Sequence, residues 1–250
     1  MTDELTLEID ADEPPEPTLV VALPGPGMAG ISATQYLIER LGLAETGHVQ
    51  TAGLPAITPY ADGRPYHHTR LFSEPSLECT FLISELPIPL QLSEPFGRVL
   101  LDWIDERAVE EVTLLTSIPS LDSADALCYV ASEDYRQRRL TDVEISPLHG
   151  GFLTGSNASL VARAMDTSLR TGVIATGVDP RIPLDANATL RLVEGLDLLY
   201  GFDVDTTQLR EFADRTQQHY EGLAAQIEAH EETRTAGRSR SRLTDDYGFM

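Results

Sequence analysis

The feature that most constrains this chain is the stretch 19–42, LVVALPGPGMAGISATQYLIERLG. It opens with an apolar, partly β-branched run, Leu19–Leu23, and turns at Pro24-Gly25-Pro26-Gly27. Apolar residues then recur at helical spacing up to Leu41. A continuous apolar strand that passes through a glycine turn into an amphipathic helix is typical of an α/β fold. We therefore interpret 19–42 as the first strand–helix unit of such a fold.

The turn in this unit spells G-x-G-x-x-G with Gly25, Gly27 and Gly30. In dinucleotide-binding folds, these glycines let the backbone approach a phosphate at the helix N-terminus. Pro26 weakens that interpretation, because proline removes an N–H donor from the loop. The acidic residue expected about 20 positions later would be Glu45, which precedes the next strand instead of ending it. Close packing of strand and helix is the favoured interpretation, and phosphate binding is the alternative.

Further apolar runs predict the remaining strands and helices. The segments 77–86, 112–118 and 172–177 are nearly apolar throughout, which is typical of strands buried on both faces. Amphipathic patterns predict helices within 97–108, 134–140, 156–165, 185–199 and 205–231. Ser132, Ser156 and Asp185 are residue types that cap helix N-termini, and we assign each to the start of a helix. Together these patterns predict a three-layer α/β sandwich with a mostly parallel central sheet and a long C-terminal helix.

Charge composition narrows the range of partners. Forty acidic and eighteen basic residues give a net charge of −22, and every basic residue is Arg. Surplus carboxylate without lysine indicates adaptation to a salt-rich cytoplasm, since the Debye length falls to about 3 Å at 1 M salt and self-repulsion is then screened. An acidic protein with a basic partner is the alternative. No basic face for nucleic acid is evident in the sequence.

The two ends of the chain differ from its middle. Residues 1–17 are acidic and include a candidate edge strand, and they lack the apolar segment of a signal peptide. No apolar run is long enough to span a bilayer, so we expect a cytoplasmic protein without membrane contact. We assign 18–204 to the α/β domain, 205–231 to a C-terminal helix packed on the domain or on an oligomer partner, and 232–250 to a flexible tail.

Several residues are candidates for a catalytic or ligand-binding role. A second glycine-rich loop, Gly150-Gly151-Phe152-Leu153-Thr154-Gly155, follows His149, which is a candidate pocket residue, although a structural histidine is the favoured interpretation. Glu85 ends a predicted strand, where α/β folds build their sites, although a buried carboxylate paired with Arg is the favoured interpretation. Cys79 and Cys128 are far apart and lack neighbouring ligands, so no metal motif is predicted. None of these residues forms a catalytic constellation, and no cofactor is predicted.

Five segments together resemble the proteasome-assembly-chaperone family in its archaeal branch. They are LPGPGMAGISATQYLIERLG, FLISELPIP, VLLDWIDERAVEEVTLLTSI, HGGFLTGSNASLVARAMD and GVIATGVDPRIPLDANATLRLVEGLDLLYGFDVDTTQL, which together cover roughly 18–225. The resemblance implies a phosphorylase/hydrolase-like α/β domain without a catalytic site. It also implies homo-oligomers and, for some archaeal members, binding to the proteasome core particle.

In those members, a C-terminal hydrophobic–tyrosine–any tripeptide enters pockets between the α-subunits of the core particle. This chain ends in Gly248-Phe249-Met250, with Phe249 at the tyrosine position and Tyr247 one place before the tripeptide. The resemblance therefore implies partner-binding residues at Tyr247, Phe249 and Met250, in a tail that departs from the family pattern.

The sequence leads to a non-catalytic, oligomeric chaperone-like binding protein. The alternative is an enzyme or a small-ligand-binding protein that uses the glycine-rich loops 25–30 and 150–155 as an anion or nucleotide pocket. Its pocket residues would be Gly25, Gly27, Gly30, Glu85, His149, Gly150 and Gly151. A purely structural oligomer is a third possibility.

Overall fold

The computed structural model describes residues 6–11, 13–53, 56–119, 126–220 and 222. Two units divide the chain, Met1–Thr206 and Thr207–Met250. The strands of the first unit are β1 (Thr6–Ala11), β2 (Thr18–Ala22), β3 (Ala44–Ala52), β4 (Tyr60–Ala61), β5 (Arg64–Pro65), β6 (Thr69–Glu74), β7 (Cys79–Ser84), β8 (Glu111–Pro119), β9 (Leu127–Ala131), β10 (Ser146–Pro147) and β11 (Arg170–Val178). Its helices are α1 (Ala29–Leu41), α2 (Ser93–Glu106), α3 (Glu133–Arg139), α4 (Gly155–Ala164) and α5 (Ala186–Tyr200).

Nine of these strands form one mixed sheet in the order β1-β3-β6-β7-β2-β8-β11-β9-β10, and β4 pairs with β5 in a small hairpin. At the centre, β7, β2, β8 and β11 run parallel to one another. Antiparallel pairs extend the sheet on both sides, from β7 out to the edge strand β1 and from β11 to β9. The parallel centre therefore lies between two antiparallel wings.

The central strands are buried on both faces, as their continuous apolar sequences predict. All five residues of β2 and all six residues of β7 are buried. By contrast, β3 in the wing mixes exposed, half-buried and buried positions. Parallel strands at the centre need helices on both faces, because crossover connections place them there.

Helices cover both faces of the sheet and make the three layers that the sequence predicts. On one face, Leu114 of β8 belongs to a core with Phe96, Leu100 and Trp103 of α2 and Leu160 of α4. On the other face, a Cβ at Gly30 of α1 would lie 3.3 Å from the Cβ of Leu115, and α1 packs against α5. Neighbouring residues of one strand point to opposite faces, so the two helix pairs lie on opposite sides of the sheet.

Two of the predicted helix caps are confirmed and one is wrong. The Asp185 carboxylate accepts a hydrogen bond from the Ala188 N–H at 2.9 Å, and the Ser132 hydroxyl accepts one from the Tyr135 N–H at 3.4 Å. The helix assigned to Ser156 begins earlier, with Thr154 at the N-cap position. Ser156 instead lies buried within the first turn of α4. A sequence pattern that places a polar residue near a helix start does not fix which residue is the cap.

The second unit contributes a helix at 207–220, which we call α6. It confirms the prediction of a C-terminal helix after the α/β domain. The predicted end of this helix at 231 and the whole predicted tail lie outside the described residues.

Candidate functional site

The parallel strands bring their carboxyl ends to one edge of the sheet, where α/β folds place their sites. The chain leaves β2 for α1 on one face, and it leaves β7 for α2 on the other face. The connections therefore reverse direction around β2, which creates a crevice at this carboxyl edge. The first glycine turn follows β2 at this edge, and the second glycine-rich loop leads into α4.

Neighbouring protein atoms fill the space around the first glycine turn. Gly27 has φ +63°, and a Cβ there would lie 3.2 Å from both Val178 Cγ1 and Asp185 Cβ. The Gly27 carbonyl accepts a hydrogen bond from the Asp185 N–H at 3.0 Å. The Ser117 hydroxyl donates to the Pro26 carbonyl, and a Cβ at Gly25 would lie 3.4 Å from that hydroxyl oxygen. Gly25, Gly27 and Gly30 thus allow close approach of β8, β11 and α5, which is the packing interpretation of this motif.

The second glycine-rich loop has open space around it. A Cβ at Gly150 or Gly151 would meet no heavy atom within 4 Å, and Gly151 has φ +141°. Both residues line a cavity of about 550 Å³ that lies between the end of β8, β9 and the first turn of α4. Phe152, at the tip of the loop, is 99% exposed. This cavity is the candidate site that the structure offers at the carboxyl edge.

Glu85 and His149 do not line this cavity in the described part of the chain. Glu85 accepts hydrogen bonds from Arg70 at 3.2 Å and from the Tyr66 hydroxyl at 3.4 Å. Arg70 also stacks over the Tyr66 ring, with Cζ 4.2 Å from the ring centroid. Burial, together with the Glu85 charge, raises the pKa of Tyr66. Glu85 is therefore the Arg-paired carboxylate of the favoured interpretation, and His149 is exposed to solvent.

A buried charge cluster at the opposite edge was not predicted from the sequence. Glu111, the first residue of β8, has no exposed surface. Its carboxylate lies 2.7 Å from Arg139 Nε, 3.3 Å from Arg170 Nε and 3.4 Å from Arg138 Nε. The Tyr200 hydroxyl also donates to it at 3.3 Å. We call these five residues the Glu111 cluster.

A hydroxyl network continues from the Glu111 cluster into the core. Thr113 is hydrogen-bonded to the hydroxyls of both Tyr135 and Tyr200. Burial raises the pKa of Tyr135 to about 12 and also raises the pKa of Tyr200, so both phenols stay protonated and able to donate. The network joins β8, α3 and α5, and its groups are satisfied by one another. A structural role follows, because polar groups buried at this depth require such partners.

The remaining candidate residues, a cysteine and three histidines, are buried or contact neighbouring side chains. Cys79 is buried, and burial raises the pKa of its thiol, which keeps it unreactive. His48 and His67 stack with ring centroids 3.6 Å apart, and His68 contacts the Thr69 hydroxyl at 2.8 Å. The described residues contain no group of three His, Cys, Asp or Glu side chains that could hold a metal ion. Among the described helices, none is both long and apolar enough to cross a membrane.

The predicted tail residues Tyr247, Phe249 and Met250 lie outside the described residues.

Of the predicted pocket residues, Gly150 and Gly151 line the cavity. The first glycine turn lies beside it, because Ser117 lines the cavity and donates to the Pro26 carbonyl. The sequence signal for the Glu111 cluster is the pair of acidic residues before the apolar run of β8, together with arginines in α3 and at the start of β11.

Comparison with known proteins identifies relatives over most of the chain. The profile of the PAC2 family matches residues 19–224. PbaA of Pyrococcus furiosus, described as an archaeal homolog of proteasome-assembly chaperone, is 20% identical with a TM-score of 0.75, over 90% of this chain and 100% of that one. PbaB of the same organism, described as an archaeal proteasome activator, is 16% identical with a TM-score of 0.72, over 87% of this chain and 98% of that one.

A proteasome-assembly chaperone homologue of Mycobacterium tuberculosis has the same fold at greater distance. It is 13% identical with a TM-score of 0.59, over 82% of this chain and 94% of that one. No curated protein matches the chain significantly. At these identities the solved structures establish the fold, and the PAC2 profile establishes the relationship.

Proposed function

Because this chain belongs to the PAC2 family, we propose that it is a non-catalytic, homo-oligomeric protein of the proteasome-assembly-chaperone kind, whose partner is the proteasome core particle. The observation that carries the proposal is the PAC2 match over 19–224 together with the PbaA-like fold of the same residues. A protein of this kind acts through its surfaces, so binding measurements test it directly.

Polar side chains at the carboxyl edge are hydrogen-bonded to other parts of the protein, which supports a role without catalysis. Glu85 is paired with Arg70, Ser117 donates to the Pro26 carbonyl, and Asp185 caps α5. Catalysis needs a nucleophile or base within hydrogen-bond reach of a reacting atom. These three groups instead stabilise the local fold.

We assign binding of the core particle to the tail residues Tyr247, Phe249 and Met250. Burying the Phe249 ring contributes about 1.5–3 kcal/mol, and a charge-assisted contact to the terminal carboxylate contributes about 1.5–3 kcal/mol. Micromolar affinity requires about 8 kcal/mol. A single tail is therefore weak, and useful affinity arises from several tails in one oligomer.

Co-purification with the core particle at molar salt tests this assignment. Deletion of residues 247–250 should abolish co-purification and leave the oligomer intact, because it removes all three assigned residues, whereas deletion of 249–250 alone would place Tyr247 at the penultimate position. Leu243→Ala, which changes an apolar residue earlier in the tail, is the matched control and should bind as well as the wild type. If the truncated chain still binds the core particle as well as the full-length chain, the contact lies on the folded body.

We further propose that the C-terminal helix, predicted over 205–231, contributes to self-association. Its sequence has an apolar stripe that includes Leu209, Phe212 and Tyr220, and a single stripe is typical of a helix laid against another surface. Light scattering at molar salt measures the mass, and a monomer under these conditions would contradict the homo-oligomer.

A further inference from the structure

The most exposed large apolar side chain of the described residues lies at the candidate site. Phe152 is 99% exposed, and it stands between Gly151 and Leu153 at the tip of the second glycine-rich loop. A phenylalanine ring that projects fully into water is unfavourable, because its apolar area remains hydrated. A single exposed apolar residue is common on protein surfaces, so the surface next to the ring decides whether the ring marks an interaction site.

The complementary surface lies directly beside the ring. The cavity of about 550 Å³ is lined by apolar side chains that include Ile118, Val130, Leu148 and Leu153. This volume falls in the range of about 300–1,000 Å³ that is typical of ligand pockets, so an aromatic side chain fits inside it. Phe152 contributes to the rim of the cavity but does not fill it, as its exposure shows.

Charge distinguishes this patch from the rest of the chain. None of the described residues that line the cavity is ionisable, although the chain has forty acidic residues and a net charge of −22. Two copies of so acidic a protein repel each other over most of their surfaces. A patch without charge, with an apolar ring and an apolar cavity, is a place where two copies can approach closely.

We propose that this patch is a self-association surface, in which Phe152 of each copy inserts into the cavity of the other about a two-fold axis. A two-fold interface uses the same patch on both copies, so it requires a projecting group and a matching cavity side by side. The second glycine-rich loop and the end of β8 provide both. This inference rests on the homo-oligomeric part of the proposed function and assigns its contact surface.

Light scattering on a dilution series at molar salt measures self-association and tests whether this surface mediates it. Phe152→Ala should weaken self-association about tenfold for each ring, and about a hundredfold for the two rings of a symmetric pair. Met165→Ala is the matched control, because Met165 is 79% exposed at the other end of α4. Both positions are exposed, so neither substitution should lower the melting temperature by more than about 1–2 °C.

The outcomes separate this inference from the proposal on which it rests. A wild-type monomer overturns both. A wild-type oligomer that Phe152→Ala leaves unchanged overturns the surface alone. If Phe152→Ala leaves the oligomer unchanged but abolishes co-purification with the core particle, the cavity accepts that partner, and the inference is wrong.

Crosslinking gives a second, geometric readout. Two differently tagged chains, one with Phe152→Cys and the other with Ile118→Cys, are mixed in a background in which Cys128 is replaced by Ser. A disulfide between the two tagged chains on a non-reducing gel is expected, since Ile118 lines the cavity. Met165→Cys in place of Phe152→Cys should give no such band. A band of equal strength in that control would overturn the insertion of Phe152.

Discussion

Removing the buried charge of Glu111 should destabilise the fold far more than removing the charge beside it. Glu111→Gln keeps the shape of the side chain and leaves three guanidinium groups without their shared carboxylate. Arg170 retains Glu110 at 2.9 Å, and the side chain of Arg138 is 56% exposed and stays hydrated. The penalty therefore falls on Arg139, whose side chain is only 19% exposed.

Breaking a buried ion pair by removing one partner costs about 3–5 kcal/mol. For a chain of this size, each kcal/mol lowers the melting temperature by about 2–4 °C. Glu111→Gln should therefore lower the melting temperature by about 6–20 °C, measured by circular dichroism at molar salt. Glu110→Gln is the control, because the Glu110 side chain is 64% exposed and, among the described residues, forms an ion pair with Arg170 alone. An exposed pair contributes about 0–1 kcal/mol, so this control should melt within about 4 °C of the wild type.

A double substitution tests whether the cost comes from the unpaired arginine. Glu111→Leu with Arg139→Leu removes both charges, and the loss should be smaller than the sum of the two single losses. Equal melting temperatures for Glu111→Gln and Glu110→Gln would refute the reasoning, because burial would then make no difference to the two carboxylates.

The remaining predictions concern the glycine turn, pH and salt. Gly30→Ala should lower stability by about 1–3 kcal/mol, because its Cβ would press on the Leu115 carbonyl at 3.3 Å, whereas Gly150→Ala has open space and should melt like the wild type. A panel of nucleotides should leave the melting temperature unchanged, because the first glycine turn is packed against protein atoms. A nucleotide that does bind would add about 2.7 kcal/mol at a hundred times its dissociation constant and would raise the melting temperature. Burial, with a smaller effect of His67, lowers the pKa of His68. The unfolded chain therefore takes up that proton first, so stability should fall as the pH drops below about 6.5, and His68→Gln should reduce this fall in acid melts. Dialysis from molar to millimolar salt should lower the melting temperature, and an unchanged value would remove the argument for halophilic adaptation.

The fold could be predicted where its causes are local in the sequence. The run Leu19–Leu23 and the glycine turn predicted a strand–helix unit, and β2 with α1 confirms it. Asp185 and Ser132 could be predicted as caps from residue type and position, because each accepts a hydrogen bond from an N–H only three residues along the chain. The continuous apolar sequence of β7 predicted burial on both faces for the same reason.

The buried charges could not be predicted, because their partners are distant in sequence. Glu111 is 28 residues from Arg139 and 59 residues from Arg170, and only the finished sheet and α3 bring them together. The cavity beside Phe152 could not be predicted for the same reason, because its walls, which are the end of β8, β9 and the loop near residue 150, are distant in sequence. The candidate pocket residues from the sequence include Gly150 and Gly151, which line this cavity, and His149, which is exposed and does not line it.

The interactions at the two ends of β8 should respond differently to salt. At its start, Glu111 is fully buried with its arginines, and a buried pair is screened little by salt. At its end, Ile118 lines a cavity whose described lining carries no ionisable side chain, so contact between two acidic copies there is mainly apolar. Contact there should strengthen with salt, because screening reduces the repulsion between copies and many salts favour apolar burial.

Association should therefore be lost before the fold as salt is removed. We expect light scattering to show dissociation at a salt concentration higher than the one at which circular dichroism shows unfolding. Glu111→Gln should move the unfolding midpoint to higher salt and Phe152→Ala the dissociation midpoint, since they act at opposite ends of the strand. Coincident midpoints in the wild type would mean that the monomer does not fold alone, and the separation of stability and association along β8 would be wrong.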